Sequence, residues 1–533
     1  MTDKAVAHAR VVNRNDPTYR PTRRDKWSKF CFYKLFLYFG VCYFALDSLP
    51  NTLWDPEVRR ATLLIGALGI WRFGWWFIHF IRAMIYRHIV FPRMRERADE
   101  LWQSGWRPHH AHFMLTTFKE HPETTRKVIE SICRELAWSG VPGTIWLGSA
   151  DESDELLIED HLRLVADETD VELVVLRQDQ PGKRIAIGLV LRAISRRNID
   201  ADDFIIFMDG DSILAPRLIE RCASLFGNDR ELQAVTTDEE VVCFGPGWVA
   251  VWLAMRFAQR RIAMQSHSLS KRVLTLTGRM SAFRAEHVTS NEFIRLVEAD
   301  YIDHWLWGRF RFLSGDDKST WYYMLRHGAK MLFVPDALIY TVERIEGSGV
   351  GRMWDNFMRW SGNMLRNGSR AIALGPFRVG PFIWWCLIDQ RLSMWTMLIS
   401  PIVAVLMTTM HSMSYVLSYI IWIAVSRMAL SLMLFTQTRR VYLSFPLVLY
   451  VNQLVGAVVK IYVIFHLAQQ RWSHRENQMV GFDHKLLTHL RSGFGYYLTA
   501  LYVFSLAIFA LTYTQLIELP SFMTLIVFTR ELF

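Results

Sequence analysis

Long apolar runs near both ends of the chain, separated by a charged middle, most restrict what this sequence can fold into. The run "FCFYKLFLYFGVCYFALDSL" has roughly the length that crosses a bilayer as a helix, and further apolar runs follow in the C-terminal third. From about residue 95 to about 350, short apolar runs alternate instead with helix-like stretches. The sequence therefore predicts a membrane protein with a soluble domain between its spans.

Composition favours a lipid bilayer, and not nucleic acid, as the partner of this chain. Hydrophobic residues make up 51% of its 533 residues, and the formal net charge is +10. Much of the basic excess lies beside apolar segments, where the cytoplasmic face of a membrane attracts it. The six cysteines form no close pair at metal-ligand or redox spacing, so we expect reduced or lipid-buried thiols.

Charge placement predicts the N-terminal topology. Residues 1–29 are expected to form a basic cytoplasmic arm, and residues 30–94 two transmembrane helices. The arm is long and no small-residue cleavage site follows the first apolar run, so no cleavable signal peptide is predicted. Arg72, His79 and Arg82 interrupt the second run, and they either reach the inner interface or line a polar interior path.

The C-terminal part is predicted to combine interfacial helices with a channel region. Residues 351–394 mix basic and aromatic side chains at helical spacing, which indicates interfacial amphipathic helices. Residues 395–533 form the predicted channel region, with spans near 395–410, 415–435 and 496–513. We interpret 443–465 as interfacial or re-entrant, because a span there would put the basic loop after it outside the membrane.

The middle of the chain has the rhythm of a mostly parallel sheet covered by helices. Apolar runs at about 112–118, 143–150, 171–176, 203–209 and 232–237 are separated by helix-like stretches such as 124–138 and 182–197. Ligands of such sheets bind beyond the carboxyl ends of the strands. The residues that follow each run are therefore the candidates for a functional site.

Two of these strand exits are acidic. Asp209 and Asp211 flank Gly210 at the end of "DFIIFMDGDS", so both carboxylates are predicted to point to one side. Such a pair can hold a divalent cation, Mg²⁺ or Mn²⁺, against a diphosphate; the alternative is a simple turn rich in Asp and Gly. Asp151 follows the second run, where it is either a site residue or the N-cap of the next helix.

An ordered set of motifs carries a family resemblance. The motifs are "GSAD" (148–151), "GKR" (182–184), "MDGDS" (208–212), "TGRMSAFRAE" (277–286), "SGDDKSTW" (314–321) and "NFMRWSGN" (356–363). From about residue 63 to about 475 the chain resembles the processive inverting family 2 glycosyltransferases, the group of the cellulose, chitin and hyaluronan synthases. Within that group it is most similar to the alginate-polymerising mannuronan synthases. The resemblance implies an α/β cytoplasmic domain, Rossmann-like and of the GT-A type, inserted in an α-helical transmembrane bundle.

The resemblance also implies roles for individual residues. Asp151 would hold the nucleotide base, and Lys183 and Arg359 the donor's diphosphate, while Asp209 and Asp211 would bind the metal. Asp317 matches the family's general base, with Asp316 as a supporting acid. Trp360 would stack on the terminal sugar of the polymer, although Arg359 and Trp360 could also be an interfacial anchor. The family's leading glutamine is here Asn356, and its usual first-strand motif is replaced by "FKEH", which makes Glu120 a weak assignment.

The donor implied by the resemblance is GDP-mannuronate, whose carboxylate needs a cationic partner. Lys318 and Arg279 are the candidates, although Lys318 could simply compensate the two aspartates before it. Trp472 and Arg475 resemble a gating loop of the family, near residues 468–493, and would contact the polymer.

The expected function is polymerisation to β-1,4-linked polymannuronate with export across the bacterial inner membrane, the catalytic domain lying in the cytoplasm. No cyclic-di-GMP-binding pattern is present in this chain, so a separate co-polymerase subunit with a PilZ-type domain is implied. The alternatives are a synthase of another β-linked exopolysaccharide, a transferase that adds one sugar to a lipid carrier, and a transporter or scaffold without activity.

Overall fold

The computed structural model describes residues 29–48, 56–166, 170–179, 182–197, 199–201, 203–345, 347–438, 440–472, 475–479 and 485–518. The predicted basic arm, apart from Lys29, and the gating-loop residues 473–474 and 480–484 lie outside this range. The chain after residue 518 does so as well.

Eight strands form the central sheet, and two small hairpins accompany it. The strands are β1 (Ala111–Thr116), β2 (Gly143–Ser149), β3 (Val171–Arg177), β4 (Phe204–Asp209), β5 (Ser212–Leu214), β6 (Leu232–Phe244), β7 (Met280–Arg284), β8 (Tyr301–His304), β9 (Gly308–Arg311), β10 (Lys330–Arg344), β11 (Gln469–Trp472) and β12 (Arg475–Met479). The sheet order is β3-β2-β1-β4-β7-β6-β10-β5. Strands β7 and β5 run antiparallel to their neighbours and the other pairings are parallel. The mostly parallel sheet is thus confirmed, with two reversed strands that the sequence pattern did not indicate.

Helices cover the sheet and form the rest of the molecule. They are α1 (Lys29–Asp47), α2 (Pro56–Ile85), α3 (Phe91–Gln103), α4 (Pro122–Ser139), α5 (Glu152–Val165), α6 (Lys183–Arg196), α7 (Leu218–Asn228), α8 (Gly247–Ser268), α9 (Ala285–Val288), α10 (Asn291–Glu298), α11 (Asp316–Arg326), α12 (Gly349–Ala373), α13 (Gly375–Val379), α14 (Pro381–Thr396), α15 (Ile399–Met410), α16 (Ser414–Thr438), α17 (Phe445–Phe465) and α18 (Lys485–Tyr513). A short π-helical turn, Tyr86–Val90, joins α2 to α3.

Hydrophobic cores lie on both faces of the sheet. Every residue of β1 is buried, and successive side chains of a strand point to opposite faces. Phe113 accordingly packs in one core with Ile129 of α4, while Met114 packs in the other with Ile187 of α6. Burial on both faces explains why the strands appear in the sequence as continuous apolar runs.

A third core connects the sheet domain to the apolar helices. It contains Trp252 of α8, Phe357 of α12, Phe435 of α16 and Leu449 of α17. The indole nitrogen of Trp252 also donates a hydrogen bond to the side-chain oxygen of Asn452 in α17, at 2.9 Å. The two parts of the molecule therefore share a packed interior.

Four helices in the described part of the chain are long and apolar enough to cross a membrane. They are Pro381–Met410, Ser414–Thr438, Phe445–Phe465 and Leu486–Tyr513. The third covers the segment interpreted above as interfacial or re-entrant, and the first begins inside the segment 351–394. The interfacial placements and the two N-terminal spans stay predictions.

Polar side chains inside the apolar helices have partners on other helices. Arg72 of α2 donates to the Asp389 carboxylate of α14 at 2.9 Å, and Arg427 of α16 donates to the Gln453 side-chain oxygen of α17 at 2.9 Å. Pairing of this kind lowers the cost of placing such groups in an apolar environment. Asn452 and Gln453 are polar, but because both have partners on other helices, their presence is compatible with α17 as a membrane span.

Candidate active site

The carboxyl ends of β1 and β4 open into a cavity of about 1390 Å³. Most of the predicted site residues line it: Lys183, Asp209, Asp211, Arg279, Asp316, Asp317, Lys318, Arg359 and Trp360. The backbone of Gly210 donates to the Thr116 carbonyl at 2.9 Å, and a Cβ at Gly210 would meet that oxygen at 3.1 Å. The glycine lets the acidic exit of β4 lie directly against the end of β1.

Lys183 connects the two acidic motifs. It is the first residue of α6, and its ammonium group lies 2.6 Å from an Asp209 carboxylate oxygen and 3.0 Å from one of Asp316. Burial alone would lower the pKa of Lys183, but Asp209 and Asp316 outweigh it and hold this pKa above its ordinary value. Lys183 therefore stays charged, as a residue that binds the donor's diphosphate must; this is the role that the family resemblance implies for it.

The two aspartates of "SGDDKSTW" begin α11, and their pKa values are shifted in opposite directions. Burial raises the pKa of Asp317, and the adjacent Asp316 raises it further. Burial also opposes the ionised form of Asp316, but Lys183 and Arg184 hold its pKa below the ordinary value. Asp316 is thus the fixed anion of the pair, and Asp317 is the carboxyl that more readily takes up a proton.

The loop before α11 is held by buried polar contacts. Arg184 donates to the carbonyl of Ser314 and to the hydroxyl of Ser319, both at 3.1 Å. Gly315 has φ 82°, and a Cβ on it would meet the side chain of Asn363 at 2.7 Å. The start of α11 is therefore pressed against α12, which carries Arg359 and Trp360.

Carboxylates gather where the sequence predicted a divalent cation. Burial and the neighbouring Asp209 raise the pKa of Asp211 to about 6. Glu120, after β1, is half-buried near both, and its pKa rises to about 8 through burial, Asp211 and Asp209. Asp209 therefore hinders ionisation of Asp211, and both hinder that of Glu120, which a divalent cation among their oxygens would relieve. The donor set is hard oxygen and fits Mg²⁺ or Mn²⁺.

Arg279 reaches the cavity wall but already has acidic partners. Its guanidinium lies 3.4 Å from Glu239 and 3.3 Å from Glu343. Burial opposes its charge, but these acids and Asp211 hold its pKa above the ordinary value. Arg279 therefore mainly neutralises buried carboxylates of β6 and β10. These contacts make it less available to bind a sugar carboxylate.

Lys318 and Trp360 also face the cavity. The ammonium group of Lys318 donates to the Leu274 carbonyl at 2.5 Å, and burial lowers its pKa to about 8. Trp360 is stacked on Trp252, with ring centroids 5.9 Å apart and planes 18° apart. Arg256 lies 5.2 Å from the centroid of Trp360. An indole fixed in this way can present a rigid apolar surface to a sugar.

Arg359 and Asn356 are neighbours on one face of α12. The guanidinium of Arg359 donates to the side-chain oxygen of Asn356 at 3.2 Å, so the asparagine that replaces the family's glutamine orients the arginine. Burial lowers the pKa of Arg359, and the nearby Arg352 lowers it further. A cation held beside other cations in this way would gain from an anionic ligand.

Asp151 is the N-cap of α5 and is not among the residues that line the cavity. Its carboxylate accepts a hydrogen bond from the Ser153 backbone at 3.0 Å. The cap interpretation is confirmed, and the described geometry gives no support for contact with a base. Asp154, one turn later, is buried and accepts from the backbone of Lys119 at 2.7 Å, so it fixes the turn that carries Glu120.

Trp472 and Arg475 face each other as backbone partners in the β11–β12 hairpin, and their side chains lie outside what the structure describes. Gln470 of the same hairpin accepts from the Leu313 backbone at 2.9 Å and donates to the Arg311 carbonyl at 2.8 Å. The hairpin is therefore tied to the loop that leads into Asp316.

Several site residues were missed by reasoning from the sequence. Glu239, Glu343 and Arg256 all line the cavity. The signal for Glu239 was available in the sequence, since "DEE" at 238–240 places three charges in an otherwise uncharged strand. Nothing local distinguishes Arg256 from the other basic residues of α8.

Comparisons with known proteins bear on the family to which the chain belongs. Residues 108–363 match the family model described as "Glycosyltransferase like family 2". The chain is 38% identical over 433 residues to "Glycosyltransferase alg8" of Pseudomonas syringae pv. tomato (strain ATCC BAA-871 / DC3000), covering 81% of this chain and 88% of that protein. It is 39% identical over 436 residues to "Glycosyltransferase alg8" of Azotobacter vinelandii, with the same coverage.

The structural comparisons are more distant. The mannosyltransferase PcManGT of Pyrobaculum calidifontis, solved with GDP-Man and Mn²⁺, is 15% identical with a TM-score of 0.40, covering 75% of this chain and 97% of that one. GalNAc-T7, solved with UDP, GalNAc and Mn²⁺, is 14% identical with a TM-score of 0.30, covering 45% of each chain. At these TM-scores neither likeness bears on the donor or the cation of this chain.

Proposed function

This chain belongs to the family 2 glycosyltransferases, together with the Alg8 glycosyltransferases, and from that premise we propose that it polymerises GDP-mannuronate. The product would be β-1,4-linked polymannuronate, the precursor of alginate, which the same chain moves across the bacterial inner membrane. The observation that carries the proposal is the single cavity in which Lys183 lies between Asp209 and Asp316, with Asp317 on its wall.

The residues support a single inverting displacement. The acceptor hydroxyl gives its proton to the Asp317 carboxylate while its oxygen forms a bond to the anomeric carbon of the donor sugar. The bond from that carbon to the diphosphate breaks, and the nucleoside diphosphate leaves on the opposite face. Burial and Asp316 raise the pKa of Asp317, which makes it the better proton acceptor of the pair.

The remaining acids would hold the cation and the diphosphate. Asp209 and Asp211, with Glu120 beside them, are the candidates for binding Mg²⁺ or Mn²⁺. When bound, such a cation neutralises charge on the diphosphate. Lys183 and Arg359, which line the same cavity, would supply further positive charge for the same group.

Positive charge in the cavity favours an acidic sugar. No carboxylate pairs with Arg256 among the residues that the structure describes, and burial lowers its pKa to about 10. Its guanidinium lies beside Trp360, the candidate platform for the terminal sugar. We assign Arg256, together with Lys318, to the carboxylates of donor and polymer, with Arg279 behind them as a structural cation.

Membrane helices give polymerisation a route for export. A polar polysaccharide cannot enter lipid, so each sugar must be added at the mouth of a polar path. Trp360 lies on α12, whose core contacts join the cavity to α17. Contact of the polymer with Trp472 and Arg475, and control by a separate PilZ-type co-polymerase that binds cyclic-di-GMP, are parts of this proposal.

The test uses the full chain in nanodiscs with the co-polymerase, cyclic-di-GMP and Mg²⁺ or Mn²⁺. GDP-mannuronate, GDP-mannose, UDP-glucose and UDP-N-acetylglucosamine are supplied separately, and polymer and released nucleotide are measured. We expect uronate polymer from GDP-mannuronate alone. Polymer made from a neutral donor would contradict the assignment of GDP-mannuronate as the substrate. Transfer of a single sugar to lipid would contradict the proposal that the enzyme is processive. No transfer from any donor would contradict the proposed mechanism.

A further inference from the structure

Three metal-binding side chains meet where the sheet domain contacts the apolar helices. His79 of α2, His267 of α8 and Cys386 of α14 have ligand atoms that all lie within 4.8 Å of one another. His267 and Cys386 are 4% and 3% exposed. The three residues come from separate parts of the sequence, so the cluster exists only in the folded chain.

The contacts of His79 leave its second ring nitrogen facing the thiol, and His267 has a buried nitrogen with no hydrogen-bond partner among the described residues. His79 uses Nδ1 for a hydrogen bond with the Ser266 hydroxyl at 3.0 Å, and its Nε2 lies 3.8 Å from the Cys386 sulfur. The Nδ1 atom of His267 is buried without a hydrogen-bond partner among the described residues. An orphaned, buried nitrogen costs free energy, which a metal ion would offset.

The dimensions suit a tetrahedral metal ion. Thiolate and imidazole ligands of a tetrahedral zinc ion lie about 3.5 Å apart when the Zn–S and Zn–N distances are about 2.3 and 2.0 Å. The His79–Cys386 separation of 3.8 Å needs little movement, and closing the whole set, whose atoms lie within 4.8 Å of one another, needs His267 to move closer. Aromatic rings of Trp75 and Phe382 pack against His79, so the cluster has an apolar wall.

The cluster also has a route of entry from the catalytic cavity. His267 lines the same cavity that holds the catalytic acids. Arg82 lies beside the cluster, with its guanidinium 3.7 Å from the centroid of the Phe382 ring. Metal binding would release the thiol proton through this polar side.

We propose that His79, His267 and Cys386 bind a zinc ion that fastens α2 and α14 to the end of α8. Its fourth position faces the cavity and takes a water molecule. Imidazole and thiolate ligands select zinc over Mg²⁺ or Mn²⁺, which prefer oxygen, so the ion is distinct from the one proposed at Asp209 and Asp211. The site has a structural role, which is to hold the catalytic domain at a fixed position on the membrane helices.

The first experiment measures metal in the full chain purified in nanodiscs without a metal-affinity column. Elemental analysis should give about one zinc ion per chain, and exchange with Co²⁺ should produce a thiolate-to-cobalt charge-transfer band. Cys386→Ser should abolish that band. Cys222→Ser is the matched control, because Cys222 is equally buried but lies in α7, and it should keep both zinc and the band.

The second experiment does not depend on folding of the cysteine variant. Wild-type chain is stripped with a chelator and titrated with zinc against a competing indicator dye, and Ser266→Ala should weaken binding by roughly tenfold through loss of the contact that orients His79. A wild-type chain with no zinc, no cobalt band and no dye competition would overturn the proposal and leave a thiol–imidazole hydrogen bond. Unchanged cobalt spectra in Cys386→Ser would overturn it as well.

Discussion

At the scale of single residues, the chemistry of the site depends on which of two adjacent carboxylates, Asp316 or Asp317, more readily takes up a proton. Lys183 and Arg184 hold the pKa of Asp316 low, while Asp317, next to it in the chain, is raised by burial and by the charge of Asp316 itself. Adjacent residues of one type therefore acquire different chemistry from their positions at the start of α11. The assignment of Asp317 as the base depends on the groups that surround this carboxylate. A substitution that removes only the charge of Asp317 tests it.

Asp317→Asn should lower the rate of sugar transfer by at least about 100-fold, because a positioned general base commonly contributes that much. Donor binding should change little, since Lys183 pairs with Asp209 and Asp316 and not with Asp317. Turnover and nucleotide affinity are measured on the same preparation. Asp303→Asn is the control, being an exposed carboxylate of β8. A variant that retained more than a tenth of the wild-type rate would rule out Asp317 as the base.

If Lys318 contacts the donor as proposed, we expect donor affinity to depend on pH. Burial lowers the pKa of Lys318 to about 8. Asp317 opposes this shift to a smaller extent, and Arg260 adds to it. A lysine with a lowered pKa is charged below that value and neutral above it, so KM for an acidic donor should rise between pH 7 and pH 9. Lys318→Met should raise KM at pH 7 and remove the rise. The exposed Lys271→Met is the control, and an unchanged pH profile of KM in Lys318→Met would exclude contact with the donor.

At the scale of elements, the start of α11 is fixed by backbone geometry. Gly315 adopts a left-handed conformation directly before Asp316, and Asn363 of α12 leaves no room for a side chain on it. Helix α12 carries Arg359 and Trp360, so this single close contact sets the position of the base relative to the sugar platform. Ser314 adds a hydrogen bond to the Asn363 side chain at 2.9 Å.

Gly315→Ala should destabilise the fold by about 2 kcal/mol, since a side chain is strained at this φ and would also meet Asn363. Transfer should fall more than stability alone explains, because α11 would move away from α12. Thermal unfolding and turnover are measured together. Gly247→Ala, where nothing lies within 4 Å of an added Cβ, should leave both unchanged. Equal behaviour of the two variants would contradict the role of the contact.

At the scale of the whole molecule, polar pairs hold helices from distant parts of the chain together. Arg72 of α2 pairs with Asp389 of α14, and Trp252 of α8 bonds to Asn452 of α17. The sequence left Arg72 either at the inner interface or on a polar interior path, and Asp389 is the partner that the structure gives it. Because each is the other's partner, they are better interpreted as a connection between the N-terminal and C-terminal helices.

Arg72→Met should destabilise the chain in detergent by up to about 3 kcal/mol, because Asp389 would be left without its partner. The double variant Arg72→Met with Asp389→Leu should recover most of that loss, since an apolar pair needs no compensation. Unfolding of wild type, both single variants and the double variant completes the cycle. Losses that simply add would mean that the two residues do not interact.

The local pattern of the sequence was enough to predict the sheet domain, the acids at the ends of its strands and the apolar helices. Runs such as "DFIIFMDGDS" encode a buried strand and its exit within ten residues, because strand burial and turn chemistry are local properties. The presence of Asp209, Asp211, Asp316 and Asp317 in one cavity followed from the order of their motifs together with the family resemblance.

Only the tertiary structure decided which partner each polar group has. Asp151 caps a helix, Arg279 neutralises Glu239 and Glu343, and Cys386 lies beside two histidines although cysteine spacing gave no sign of a cluster. Each of these outcomes depends on contacts between residues that are distant in the chain or on a choice between local and distant partners. The free energies of such contacts are set by burial and distance, which sequence spacing does not contain.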